Sequence, residues 1–361
     1  MITKIPIWLL AGLFVLVLWR TDSEAQQGTW ERHIQAGAAA YQQGNHGEAV
    51  KQTEAALEAA EAFGPNDLRL ADTLNGLASL YQVQVKYAEA ETLLKRALAI
   101  WETVLGSEHP QVATGLNILA LHYADLGQYP EAEPLFKRSL EIRKKTLGLA
   151  HPDVAQSLNN LATIYQDQGR YPEAEPLYQR SLAIWQSVLG PEHPQVPTGL
   201  DNLAALYRVQ GKYLEAEPLY KRSLAIWEKT LGPEHPHVAT NLNNLAELYR
   251  VQSKYPEAEP LYQRSLAIME VALGPEHPDL AASLNNLAGL YREQGKYADA
   301  EPLYKRALAI LDKALGPEHP NLAAGLENYA AVLRKTGRTS EADNLEKRAT
   351  AIRAKSAEQN R

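Results

Sequence analysis

Between Pro236 and Gly274 the apolar residues fall into two helical stripes. Leu242, Leu245, Ala246 and Tyr249 recur at i, i+3, i+4 and i+7, which is one face of an α-helix. A second stripe begins near Tyr255 and carries Ala258, Leu261, Tyr262, Leu266, Ile268 and Leu273. Ser253 stands between them, in the slot that other copies of the pattern fill with Gly127, Gly169, Gly211 or Gly295, and marks the end of the first helix. Gly274 ends the second, as glycine does just past helix ends. Pro236 suits a first turn, where its missing N–H costs nothing. Pro134, Pro176, Pro218, Pro260 and Pro302 fall early in the second helix, where a proline removes at most one backbone bond. Ala246, Ala258 and Ser265 are small where the two helices must approach. The pattern predicts an antiparallel hairpin, helix A followed by helix B.

The hairpin is repeated. The block Gly-Pro-Glu-His-Pro that starts at Gly232 returns at Gly274 and Gly316, with variants at Gly106, Gly148 and Gly190, always 42 residues apart. A fixed period in this range specifies stacked units, each burying its apolar face against its neighbours. Counting along the chain places A helices from near residues 30, 68, 110, 152, 194, 236, 278 and 320, eight hairpins in all. The first, about Trp30–Phe63, lacks the connector block. The last B helix, about Thr339–Ser356, puts Glu346, Thr350 and Arg353 in apolar slots, which suits a unit that stops the stack.

Leu-Asn-Asn-Leu-Ala-x-x-Tyr followed by Gly-Lys-Tyr-x-x-Ala-Glu-Pro-Leu-Tyr-x-Arg is similar to tetratricopeptide repeats. The series Leu242, Leu245, Ala246, Tyr249, Tyr255, Ala258, Tyr262 carries that signature. The 42-residue length and the Leu-Gly-Pro-Glu-His-Pro connector resemble the kinesin light chain type of repeat more specifically. The resemblance implies an all-α fold, a right-handed α-solenoid of stacked helical hairpins, with A helices lining a concave face that binds extended or helical peptides. The expected organisation is residues 1–25 as an export segment, 26–67 as a divergent hairpin, 68–338 as 42-residue repeats, and 339–361 as a polar capping helix and tail.

Composition narrows the function. The 361 residues carry a net charge of −7 and no cysteine, which excludes disulfides, thiolate catalysis and Cys-type zinc sites. The acidic balance lacks the footprint of a nucleic-acid binder, so no nucleic-acid partner is expected. Lys4 precedes an apolar run from Ile5 to Trp19, too short for a membrane span of about 20 residues. Ser23-Glu24-Ala25 then places small residues before a possible cut after Ala25, the layout of a secretory signal peptide. The alternative is an uncleaved signal anchor through residues 5–19. Either places the repeats outside the cytoplasm, periplasmic or extracellular, with membrane contact only through that segment.

The repeat register also sorts candidate binding residues. On the A helices it gives a row of Asn159, Asn243 and Asn285, with Asp201 interrupting it. Beside it runs Asn160, Asn202, Asn244, Asn286 and Asn328. A third row is Arg208, Arg250, Arg292 and Arg334, whose slots in earlier repeats hold Gln82, Ala124 and Gln166. An Asn amide donates and accepts, so it can grip a peptide backbone or bond between hairpins. An Arg fork matches a carboxylate, or is simply a solvated face. These rows are the candidate peptide groove, more basic towards its C-terminal half, for a peptide with acidic side chains or a free C-terminus.

Other rows point to architecture. Arg96, Arg138, Arg180, Arg222, Arg264, Arg306 and Arg348 on the B helices are expected to pair with Glu residues of helix B or of a neighbouring repeat. His109, His151, His193, His235, His277 and His319 occur once per connector, too far apart to share a metal with ligand bonds of about 2 Å, so turn chemistry is expected. Trp101, Trp185 and Trp227 near the ends of B helices are expected to pack between B helices, or else to stack on a ligand. No catalytic grouping, metal site or phosphate loop appears, so no enzyme activity and no cofactor are expected. The leading function is a non-enzymatic scaffold for partner peptides. The alternatives are a self-assembling structural solenoid and an envelope-polymer (carbohydrate) binder.

Overall fold

The computed structural model describes residues 26–359, and the expected export segment, residues 1–25, lies outside them. The described residues form sixteen helices and no strand. Helix α1 covers 26–42; α2 is His46–Glu61, α3 Leu68–Val83, α4 Tyr87–Leu105, α5 Pro110–Asp125, α6 Tyr129–Leu147 and α7 Pro152–Asp167. Then follow α8 Tyr171–Val188, α9 Gln195–Val209, α10 Tyr213–Leu231, α11 Pro236–Val251 and α12 Tyr255–Leu273. The last four are α13 Leu280–Glu293, α14 Tyr297–Leu315, α15 Leu322–Lys335 and α16 Thr339–Gln359. Odd-numbered helices are the A helices and even-numbered ones the B helices. The chain divides into two compact units, one ending at Gly169 and one beginning at Arg170. None of the described helices is long and apolar enough to cross a membrane.

The connector block explains the period. After each B helix, Gly106, Gly148, Gly190, Gly232, Gly274 or Gly316 adopts positive φ, a conformation that costs an L side chain dearly. The chain turns within three residues, closing a His N–H to Gly carbonyl bond of 3.2 Å at His109 and 3.3 Å at His235. At α5, α7 and α11 that histidine is the N-cap of the next helix, and before α9, α13 and α15 it stands one or two residues ahead of the N-cap, at Pro194, Asp279 and Asn321. Nδ1 of His109, His151, His193, His235, His277 and His319 accepts the backbone N–H two residues on, at 3.1–3.3 Å. An imidazole thus does what Ser, Asp or Asn does at most N-caps, and it needs Nδ1 free of its proton. The turn chemistry expected of the histidines is realised as capping.

Five of the eight A helices begin within a residue of the expected position. The first begins earlier, at 26, and α13 and α15 begin two residues late. There the entry is tighter: Ala281 N–H bonds the carbonyl of Pro278 and Ala323 that of Pro320, three residues back. In α11 Ala239 instead reaches His235, four residues back. Ser253 takes φ of 58°, as the glycine slot demands, and Val85 takes 63° in the equivalent turn after α3. A β-branched residue is poorly suited to that region, and Val85 is also largely exposed.

The core is a column of Ala, Leu and Tyr in each unit. Tyr220, Tyr262 and Tyr304 are fully buried on their B helices. The tryptophans press on the A helix that follows, and Trp101 and Trp227 share a buried cluster with Ile142 and Ile268 of the next B helix. A Cβ on Gly115 would lie 2.7 Å from the Trp101 ring, and one on Gly199 would lie 3.0 Å from Trp185. The indole fits because those positions have no side chain. In the equivalent pair Arg143 replaces Trp and Ser157 replaces Gly. The Arg143 guanidinium, 7% exposed, donates to Ser157 Oγ at 2.8 Å and to the Asp153 carbonyl at 3.1 Å. Burial lowers its pKa.

Candidate functional site

The Asn rows lie on the A helices, and most of their amides are used inside the chain. In the first unit Asn159 and Asn160 are both buried. Asn160 Nδ2 donates to Asn117 Oδ1 on the preceding A helix at 2.9 Å, and its Oδ1 accepts from Gln156 at 2.7 Å. In the second unit Asn286 Nδ2 donates to Asn243 Oδ1 at 3.0 Å. Asn285 Nδ2 bonds the Ala281 carbonyl at 2.8 Å, leaving its enclosed Oδ1 without a partner. Asn159 and Asn202 are also engaged. Asn244 is half-buried on α11.

The Arg row does not form the free basic stripe that its sequence register suggests. Arg250 grips Glu247, Nε and Nη2 each 2.7 Å from a carboxylate oxygen, and Nη1 meets Glu293 on α13. Burial works against ionised Glu247, but Arg250 and the Tyr262 hydroxyl, 2.8 Å away, outweigh it and hold the carboxyl low. Burial and the neighbouring Glu247 raise the pKa of Tyr262. Arg208 stands 3.8 Å from the same Glu247. Arg334 is bound by Glu346 and Asp343 of α16, at 2.6 and 2.7 Å. Three of the four guanidinium groups therefore have one of the chain's own carboxylates within ion-pair distance, closely at Arg250 and Arg334 and loosely at Arg208. Arg292 differs. Its Nη1 donates to the neutral Asn328 Oδ1 at 2.9 Å, and among the described residues no carboxylate lies within ion-pair distance of it.

A second set of contacts was not anticipated. The Tyr near the end of each A helix donates to a Glu early in the preceding B helix. Tyr123 reaches Glu91, Tyr165 reaches Glu133, Tyr249 reaches Glu217 and Tyr329 reaches Glu301, all at 2.9–3.0 Å. Lys95, Lys221 and Lys305, one turn further along the B helices, close the same carboxylates. The signal was the Ala-Glu dipeptide that recurs in register with the Tyr. The B-helix Arg row pairs as expected where partners are resolved. Arg138 meets Glu102 and Arg264 meets Glu228, at 2.6 and 2.8 Å, while Arg306 meets Glu270 and Arg348 meets Asp312. The connector Glu is used too: Glu108 and Glu192 bind Lys145 and Lys229 at 2.8 and 2.5 Å.

With the hairpin period and its inter-hairpin contacts in hand, the family follows. The tetratricopeptide repeat profile matches residues 69–145, 195–270, 238–313 and 282–355, and a second tetratricopeptide repeat profile matches 154–195. The chain belongs to the tetratricopeptide repeat family. Among solved structures, the nearly identical repeats of a putative kinesin light chain from Podosopora anserina are 33% identical, with a TM-score of 0.50, over 57% of this chain and 96% of that one. BtubC (BKLC) from P. vanneervenii is 27% identical, with a TM-score of 0.53, over 62% and 89%. Aspartyl phosphate phosphatase F from Bacillus subtilis, 14% identical with a TM-score of 0.64 over 87% and 79%, shares the fold. No curated protein matches the sequence. Among the described residues no cluster of His, Asp or Glu could hold a metal ion.

One tetratricopeptide repeat position carries a charge out of pattern. Asp201 on α9 stands where other repeats have Asn, and Asn241 Nδ2 donates to it at 2.5 Å. Burial pushes its carboxyl up to about 7, against smaller opposing hydrogen bonds from Ser223, Asn241 and Trp227. A raised carboxyl pKa means that the folded state holds its proton more tightly than the unfolded chain. Stability from this site is complete below about pH 4 and falls as pH rises towards 7. Asp201→Asn should therefore raise the melting temperature at pH 8, by on the order of a few kcal/mol in unfolding free energy, and leave it unchanged near pH 4. Thermal melts of both proteins across that range measure it.

Proposed function

We propose that the protein is a non-enzymatic scaffold that holds partner peptides against its A helices. Membership of the tetratricopeptide repeat family supports an interaction role, and the single observation that carries a finer reading is Arg292. Its fork is oriented by a neutral amide and opposed by no carboxylate, so an acidic side chain or a free C-terminus of a peptide would complete it. Asn244 and Asn328 on the neighbouring A helices supply amides for the peptide backbone. Arg250 and Arg334 hold the platform together, and do not read the ligand.

Two substitutions separate these roles. Arg292→Gln should weaken binding of a fluorescein-labelled acidic peptide with a free C-terminus by about 1.5–3 kcal/mol, the usual worth of a charged hydrogen bond, with the melting temperature nearly unchanged. Arg250→Ala should leave half-buried Glu247 with only the Tyr262 hydroxyl and the more distant Arg208, and cost roughly 1–3 kcal/mol of stability. Fluorescence anisotropy and thermal melting read the two effects. A stable Arg292→Gln protein that binds the peptide unchanged contradicts the assignment.

We further propose that residues 1–25 export the repeats. The short apolar run after Lys4 and the small residues Ser23 and Ala25 support this. N-terminal sequencing of protein from expressing cells should find Gln26 first. A chain that keeps Met1 and remains in the cytoplasm contradicts export.

A further inference from the structure

The first unit presents an A-helix face unlike that of the second. The positions left at least partly open on α5 are Thr114, Ile118, Leu121 and Asp125, and those on α7 are Gln156, Thr163 and Asp167, with Asn160 buried between them. The two helices are joined side by side by the Asn160 to Asn117 bond, and α3 is tied to α5 by Gln82 and His122 at 3.0 Å. Helix α3 adds Asp72 and Val83 to the same face. Leu121 is 40% exposed and Val83 49% exposed.

No Lys or Arg occurs on α5 or α7, and the one cation of α3, Arg69, is held by Asp67 at 2.7 Å. The surface is therefore acidic and apolar. The placing of its acids runs against local preference. Asp125 and Asp167 are the last residues of their helices, where unpaired carbonyls already make the potential negative. Burial pushes both carboxyls up; the buried His122 alone offsets this at Asp125, and nothing cationic offsets it at Asp167. Asp72 is likewise pushed up by burial, with the Trp101 indole opposing. The stack does not require acids at these helix ends. The same position is Val209 in α9 and Val251 in α11, and in α13 it is Glu293, which binds Arg250. Gln166 Oε1, on α7 one residue before Asp167, is enclosed without a partner.

From this charge and shape we infer that the A-helix face of the first unit binds a partner segment bearing Lys or Arg beside an apolar side chain. The apolar group would cover Ile118 and Leu121, and the cations would meet Asp125 and Asp167. This rests on the reading of A-helix faces as peptide surfaces, but it assigns the first unit a ligand opposite in charge to the one proposed for Arg292.

The test uses the full chain and two short fluorescein-labelled peptides, one of Lys, Leu and Gly and its counterpart with Glu for Lys. The Lys peptide should bind wild-type protein. The double variant Asp125→Asn, Asp167→Asn should bind it about tenfold more weakly or worse, and Leu121→Ser should also lose affinity. The double variant should melt at a higher temperature, because two unpaired charges opposed by helix dipoles are gone. A purely structural role for the aspartates would not couple lost binding to gained stability. The control Glu131→Gln, Glu257→Gln removes the same charge from exposed B-helix sites and should leave binding within about twofold. Equal loss in the control, or no loss in the aspartate variant, overturns the inference. If only the Glu peptide binds wild-type protein, this inference falls and the scaffold reading stands. If neither binds, both fall.

Discussion

Five connector residues must end one helix, reverse the chain and start the next, and everything else in the protein depends on that turn recurring at a fixed period. Glycine supplies the positive φ that stops the B helix. Histidine closes the turn with its N–H and accepts the N–H two residues on through Nδ1, capping α5, α7 and α11 directly, and proline there occupies the first turn without losing a bond. Because the positive-φ glycine and the His-to-Gly turn recur every 42 residues, successive hairpins within a unit meet in one register, even where the helix entry tightens at α13 and α15. A hairpin of this size cannot bury its apolar face alone, so the constant register makes the neighbour a reliable wall.

That register converts single interactions into ladders. Tyr to Glu, Lys to connector Glu, and Arg to helix B carboxylate each recur from hairpin to hairpin. An exposed ion pair of this kind contributes little by itself, up to about 1 kcal/mol. Its role here is to fix which neighbour surface is met, while burial of Tyr220, Tyr262 and Tyr304 supplies the apolar contribution. Variation within the ladders is then informative. Arg143 and Ser157 replace Trp and Gly together, so a core contact changes its chemistry without changing its shape. Arg292, Asp125 and Asp167 depart from the ladder with no ion-pair partner among the described residues, and the proposed ligands would meet them there.

The helices, most of their starts, the special turn at Ser253 and the pairing of the B-helix arginines were legible in the sequence, because each depends on spacing within one repeat or on the same position in the next. What escaped was different in kind. Tyr249 finds Glu217 32 residues back, Lys229 finds Glu192 37 residues back, and Asn286 finds Asn243 43 residues back. None of these is the 42-residue period. Aligning repeats collects residues that are equivalent, whereas stacking brings together residues that are not. The Arg row therefore looked like a basic groove until Glu247 and Glu293 were seen to close it from other phases. The tryptophans, aligned with one another, suggest contact between B helices, and their alignment does not reveal that the Trp101 and Trp185 rings also lie against Gly115 and Gly199 on A helices.

The central claim is that A helices face ligands while B helices hold the stack. Hydrogen–deuterium exchange of the full chain, with and without a bound peptide, tests it most directly, since segments from α11 and α12 or from α5 and α6 are measured separately. Slowed exchange confined to A helices and their flanking turns is the predicted result. Protection that falls mainly on B helices would contradict it.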